Sequence, residues 1–159
     1  MNSSVILFAV GFIVACIMLM CIQKVKNVIE TDKNRDQERK LYEFYFLLTK
    51  WMMARQKNRT VGDYLKNNSI NTVAIYGMKE LGEILLHELE TSGVKVEYLI
   101  DKSADSIFAD IKIVKPNDNL EEVDAVIVTA IHYYNDIKND LSKKLACPIL
   151  SLEDIVNII

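Results

Sequence analysis

Charge is absent from the first 23 residues: all 22 acidic and 19 basic side chains lie at or after Lys24. The rest of the chain holds no basic surplus, and a net charge of −3 argues against a dedicated nucleic-acid binder. Five glycines and two prolines are too few for a collagenous or low-complexity chain. Of the three cysteines, Cys16 and Cys21 lie in the uncharged segment and Cys147 is far away, so no disulfide framework is expected. The only histidines are His87 and His132, and no pair of candidate ligands has metal-site spacing, which excludes a zinc site. At 159 residues there is room for one ordinary domain, not two.

The uncharged start contains an apolar run, residues 5–22, without a strongly polar side chain. As a helix it would measure roughly 27 Å, close to the hydrocarbon thickness of a bilayer. No basic residues precede it, unlike a secretory signal peptide. Ile13-Val14-Ala15-Cys16 resembles a lipoprotein cleavage box, but the apolar run continues past Cys16 to Ile22. Residues 1–23 are therefore expected to anchor the chain in membrane lipid through a single span. Lys24, Lys26, Lys33, Arg35, Arg39 and Lys40 all follow the span, so the positive-inside rule puts the N-terminus outside and the rest in the cytoplasm. The competing reading is a buried helix of a soluble protein.

Residues 24–59 read as a stem. Up to Lys40 the stretch is polar, with both charge signs and no glycine or proline; it is either a continuation of the anchor helix or a flexible tether. From Leu41 the pattern becomes amphipathic, with Leu41, Phe44, Tyr45, Leu48, Trp51 and Met52 at helical spacing. Phe46, Leu47 and Met53 widen that face beyond what one packing surface needs. The face either packs on the following domain or also mediates homo-oligomerisation or docking to a membrane-associated partner. Burial of Trp51 against the domain is the expectation.

Residues 60–159 alternate strand and helix signals. Thr60 and Asp63 form a capping box for a short helix. Residues 72–76 are a β-branched run, 80–91 are helical with Leu81, Ile84, Leu85 and Leu89 on one face, and Gly93 is placed for a left-handed cap. Strands are expected at 94–100, 111–114, 124–129 and around Ile149, with a helix over 133–145. Ser151 and Asp154 mark the start of a last helix. Alternation of this kind implies an α/β fold: a small doubly wound parallel sheet of about five strands, covered on both faces, in the order 3-2-1-4-5. The segment 94–114 is too short for a full helical crossover, so one connection should be a loop.

The stretch Gly77-Met78-Lys79-Glu80-Leu81-Gly82 comes directly after a strand and opens a helix. In a dinucleotide-binding turn the first glycine makes the bend, the second admits a pyrophosphate, and the third lets helix and strand approach. Gly77 and Gly82 hold the first and third places; Lys79 holds the second. Asp101, at the end of the second strand, is placed to accept ribose hydroxyls. These residues resemble the Rossmann-like domain of membrane-bound nucleotide-sugar dehydratases and polyprenyl-phosphate sugar phosphotransferases, and the N-terminal domain of sugar-nucleotide acyltransferases. Those families carry a glycine turn, a helix, and a second strand ending in Ile-Asp, matched here by Gly77, Gly82, Ile100 and Asp101.

The resemblance, over roughly residues 70–155, implies a Rossmann-like domain that binds a nucleotide-sugar or dinucleotide in surface polysaccharide or glycoconjugate assembly. A catalytic dehydratase, transferase or acyltransferase domain is not expected beside it. Gly77, Met78, Lys79, Gly82 and Asp101 are the expected ligand-binding residues, with Thr129 and His132 across the crevice. Thr129 either donates to the ligand or simply ends a strand; His132 either touches a phosphate or is an ordinary loop histidine. No nucleophile, base and orienting group assemble. The leading expectation is thus a membrane-anchored module that binds without transforming. The alternative is a ligand-free scaffold recruiting a partner through its stem. An NAD(P)-dependent oxidoreductase ranks last, because it needs an intact turn and a catalytic group.

Overall fold

The computed structural model describes the backbone of residues 3–107 and 109–159, and side chains from residue 18 onward within the first helix. The chain forms two compact units, residues 1–45 and 46–159, and helix α1 (Ser3–Gln56) contributes to both.

In the first unit the polar stretch after Gln23 is helical, which decides between the two readings of the stem: it is no tether. Asp36 holds both Arg39 and Lys40 at 2.7 Å, and Arg39 also reaches Glu43 at 2.8 Å. Such i,i+3 and i,i+4 pairs favour a helix modestly, and no glycine or proline interrupts them. The predicted membrane anchor, residues 5–22, lies for its greater part outside the described side chains. Among the described residues no helix is long and apolar enough to cross a membrane.

The second unit is an α/β layer structure. After α1 come α2 (Val61–Asn67), β1 (Thr72–Tyr76), α3 (Glu80–Glu90), β2 (Lys95–Ile100), β3 (Ile113–Val114), β4 (Ala125–Val128), α4 (Tyr134–Leu141), β5 (Ile149–Ser151) and α5 (Leu152–Ile158). The five strands are all parallel in the order β3-β2-β1-β4-β5, as expected from the sequence. Between β2 and β3 the described residues form only a short 3-10 turn, Ala104–Ser106, in agreement with the expected loop connection. The register of β1 on β2 slips after Val73, which pairs with Val96 while Ala74 pairs with Tyr98. Glu97 is the residue left over.

β1 and β4 are buried almost throughout, because side chains on both faces are covered. One face gathers Ala74, Tyr76, Tyr98, Ile100, Val126 and Val128 under Ile137 and Leu141 of α4. The loop before β4 closes the same face, where the Tyr98 hydroxyl donates to the Glu121 carbonyl at 2.6 Å. Burial pushes the Tyr98 phenol up to about 12, with Cys147 and Glu121 adding to the shift. The other face is formed by Val73, Ile75, Leu99, Ala125 and Ile127, all buried.

Caps agree with the sequence in part. Thr60 caps α2, its hydroxyl accepting the Asp63 amide at 3.0 Å. Gly93 adopts φ +81° just after α3. Ser151 stands at the N-cap of α5 but makes no side-chain capping bond. Two expectations about helix faces need correction. Ile84 is exposed, and the buried stripe of α3 runs through Leu81, Leu85, Glu88 and Leu89 instead. On α1 the buried line is Leu47, Trp51 and Ala54, whereas Leu41, Tyr45, Phe46, Met52 and Met53 are exposed. Trp51 is buried as expected, at 2% exposure.

The entry to the two central strands is held by Asp124, whose Oδ2 accepts the Asn71 and Thr72 amides at 2.9 and 2.8 Å. These amides, with the Thr72 hydroxyl, hold its carboxyl below the usual range. A lowered folded-state pKa stabilises above the unfolded value near ~3.9 and is lost as pH falls through the folded one. The stability advantage of wild type over Asp124→Asn should therefore be full at pH 7 and shrink below about pH 4. Urea unfolding of both proteins at pH 7 and pH 3 checks this; an advantage that grew in acid would contradict it.

Candidate functional site

Strand order reverses between β1 and β4, and their carboxyl ends are where open α/β sheets place ligands. The residue after β1 is Gly77, with φ +96°, a conformation that L side chains rarely adopt. Its amide donates to the Ile100 carbonyl at 2.8 Å, which ties the turn to the end of β2. A Cβ here would lie 2.8 Å from Thr129 Oγ1 and 3.5 Å from the Ala130 nitrogen. The turns after β1 and β4 are thus in contact.

The residues singled out in the sequence converge on this point. The Met78 amide donates to Asp101 Oδ2 at 2.8 Å, and the Ser103 amide to Asp101 Oδ1 at 2.8 Å. Asp101 is therefore a brace between the glycine turn and the segment after β2. A carboxylate offers about four acceptor positions, so two remain for hydroxyl donors. Thr129 is buried, and its single hydroxyl proton is shared between the carbonyls of Gly77 at 2.7 Å and Tyr76 at 3.0 Å. That proton is committed within the protein; only the oxygen's lone pairs are left for a ligand.

Gly82 has the role of the third glycine. A Cβ on it would stand 2.0 Å from the Gly77 carbonyl oxygen and 3.3 Å from Met78 Sδ. Lys79 occupies the N-cap position of α3, exposed and making no side-chain capping bond. Glu80 and Glu83 in the first turn complement the helix dipole and oppose an approaching anion, so the Lys79 ammonium works against two carboxylates there. His132 stands half-buried in the 3-10 turn Ile131–Tyr133, on the same carboxyl edge. Tyr76, buried beneath the turn, has its phenol raised by burial, then by Asp101 and Asp140. Among the described residues no cluster of three metal-ligating side chains occurs.

A family model described as C2185-like, N-terminal, matches residues 69–148, half of the chain. The chain belongs to the C2185-like N-terminal family. No curated protein and no solved structure matches it. The C2185-like segment runs from just before β1 to just before β5 and contains every candidate residue, from Gly77 to His132.

One residue of the C2185-like segment escaped the sequence reading. Glu88, on α3, is buried, and its carboxylate collects three donors. Oε2 accepts the Trp51 indole N–H at 2.9 Å and pairs with the Arg55 guanidinium at 2.9 Å; Oε1 accepts the Val61 amide at 2.6 Å. The available signal was an acidic residue at a position where the Leu81–Leu85 stripe requires an apolar one. His87 beside it is exposed and near Glu90. Cys147 is half-buried against the core, and burial raises its thiol pKa.

Proposed function

We propose that this chain is a membrane-tethered cytoplasmic module that binds a nucleotide or nucleotide-sugar at the switch point of its sheet without transforming it. The observation carrying this reading is the convergence of Gly77, Met78, Asp101 and Thr129 at the point where strand order reverses. The resemblance to sugar-nucleotide families directs the ligand class toward nucleotide-sugars and the setting toward surface polysaccharide or glycoconjugate assembly. The tether rests on the uncharged run of residues 5–22 and the basic residues after it. In this reading Asp101 accepts ribose hydroxyls with its remaining lone pairs. The Lys79 ammonium lies beside a phosphate and replaces contacts that backbone amides make in an all-glycine turn.

A second reading has its own observation. Both Asp101 oxygens and the Thr129 proton are engaged within the protein. A turn satisfied in this way can serve as a scaffold, with the exposed apolar side chains of the stem recruiting a second copy or a membrane-associated partner.

A melting-shift screen of the full chain in detergent against UDP-glucose and NAD separates the two. Ligand at 100 times its dissociation constant should stabilise by about 2.7 kcal/mol. Lys79→Ala should weaken binding, and the loss should fade near 1 M salt, where the screening length is about 3 Å. Improved binding by Lys79→Gly would mean that the side chain blocks the turn. No shift with either ligand favours the scaffold.

A further inference from the structure

Helix α3 belongs to two assemblies at once. Its first turn is seated on the glycine turn, since a Cβ on Gly82 would meet the Gly77 carbonyl oxygen at 2.0 Å. Six residues on, about 9 Å along the axis, Glu88 gathers donors from two other helices. Trp51 and Arg55 come from the end of α1 and the Val61 amide from the start of α2. Three donors at 2.6–2.9 Å on one buried carboxylate form a junction whose geometry is sensitive to small shifts of α3. An apolar side chain at 88 would fill the same place without fixing that register, because dispersion contacts have no direction. The last turns of the stem reach the domain through this junction, a short apolar line of Leu47, Trp51 and Ala54, and the Lys50 ammonium, which donates to Asn157 Oδ1 at 2.7 Å.

We infer that α3 couples occupancy of the switch-point site to docking of the last turns of the stem helix, with Glu88 as the group that receives the displacement. The inference rests on the nucleotide-binding reading above and assigns that site its regulation. A ligand seated on the glycine turn bears on the first turn of α3, the helix transmits the shift as a rigid rod, and the Trp51 and Arg55 contacts respond. Linkage makes the effect reciprocal: whatever loosens the stem changes affinity at the turn by the same factor.

The chain carries its own reporter, because Trp51 is its only tryptophan. Full-length protein in detergent is titrated with UDP-glucose, and with NAD as a second probe, by calorimetry and by tryptophan emission in parallel. Arg55→Ala is titrated alongside; it removes one partner of Glu88 and leaves the indole and amide donors in place. The coupling requires an emission change that saturates with the calorimetric dissociation constant. It also requires affinity changed by at least about threefold in Arg55→Ala. Calorimetric binding with silent Trp51 emission, or with unchanged affinity in Arg55→Ala, overturns the coupling and leaves the binding reading standing. No calorimetric binding of either probe overturns both.

Discussion

Trp51→Ala should lower stability by about 3–5 kcal/mol, the range of large-to-small changes at fully buried aromatic positions. Trp51 is 2% exposed and lies on the same helical line as buried Leu47 and Ala54. Its truncation removes a large apolar surface and also takes one of three donors from the Glu88 carboxylate. Glu88 Oε2 keeps the Arg55 guanidinium, so the indole adds only the loss of one hydrogen bond to a charged acceptor, about 1.5–3 kcal/mol. Trp51→Phe helps separate the two contributions, since it keeps most of the apolar bulk and loses the indole N–H. The phenylalanine variant should therefore fall between wild type and alanine in urea unfolding. A cost near zero for Trp51→Ala, together with loss of self-association, would instead place this side chain between two copies of the chain.

The docking of Trp51 also explains which parts of the fold were legible in the sequence. The succession of strands and helices followed from short β-branched runs alternating with helical spacing, whereas the order 3-2-1-4-5 was one choice among the arrangements that right-handed crossovers allow. The loop connection between β2 and β3 was readable from length alone. The orientation of the stem helix was not. Its apolar positions outnumber those that one surface can bury, so periodicity fixed the helix but not its rotation. A polar group marks the buried side of its last turns: Glu88 holds Trp51 and Arg55, while Met52 and Met53 are exposed. Pattern matching treats such a residue as an interruption of the stripe, when it is the anchor.

The glycine turn was legible for a different reason. Gly77 and Gly82 are required by backbone geometry, a positive φ at one and a close approach at the other, and that requirement is written in residue type. The engagement of Asp101 and Thr129 was not, because it depends on how closely the ends of β2 and β4 approach the turn. Both residues were expected to face a ligand, and both also bind the turn itself.

Gly82→Ala sets two effects of opposite sign against each other. Helix propensity alone favours alanine by about 0.5–1 kcal/mol at a position inside a helix. Against it stands a Cβ 2.0 Å from the Gly77 carbonyl oxygen and 3.0 Å from its carbon. Neither atom can yield cheaply, because that carbonyl accepts the Thr129 hydroxyl and the Gly77 amide is bonded to Ile100. Relief must come from α3 withdrawing, which would pull Leu81 and Leu85 away from the sheet. The net result should be a loss at the upper end of the overpacking range, about 3 kcal/mol. Gly93→Ala is the control, with φ +81° but only the flexible end of Lys66 facing its Cβ. That variant should lose only the left-handed backbone term, about 1–2 kcal/mol. The expected order is thus the reverse of the one dihedral angles alone would give, since Gly82 is the glycine in ordinary helical conformation. Should denaturant unfolding find Gly82→Ala neutral or stabilising, α3 is not seated on the turn, and the assignment of Gly82 as the close-approach glycine fails with it.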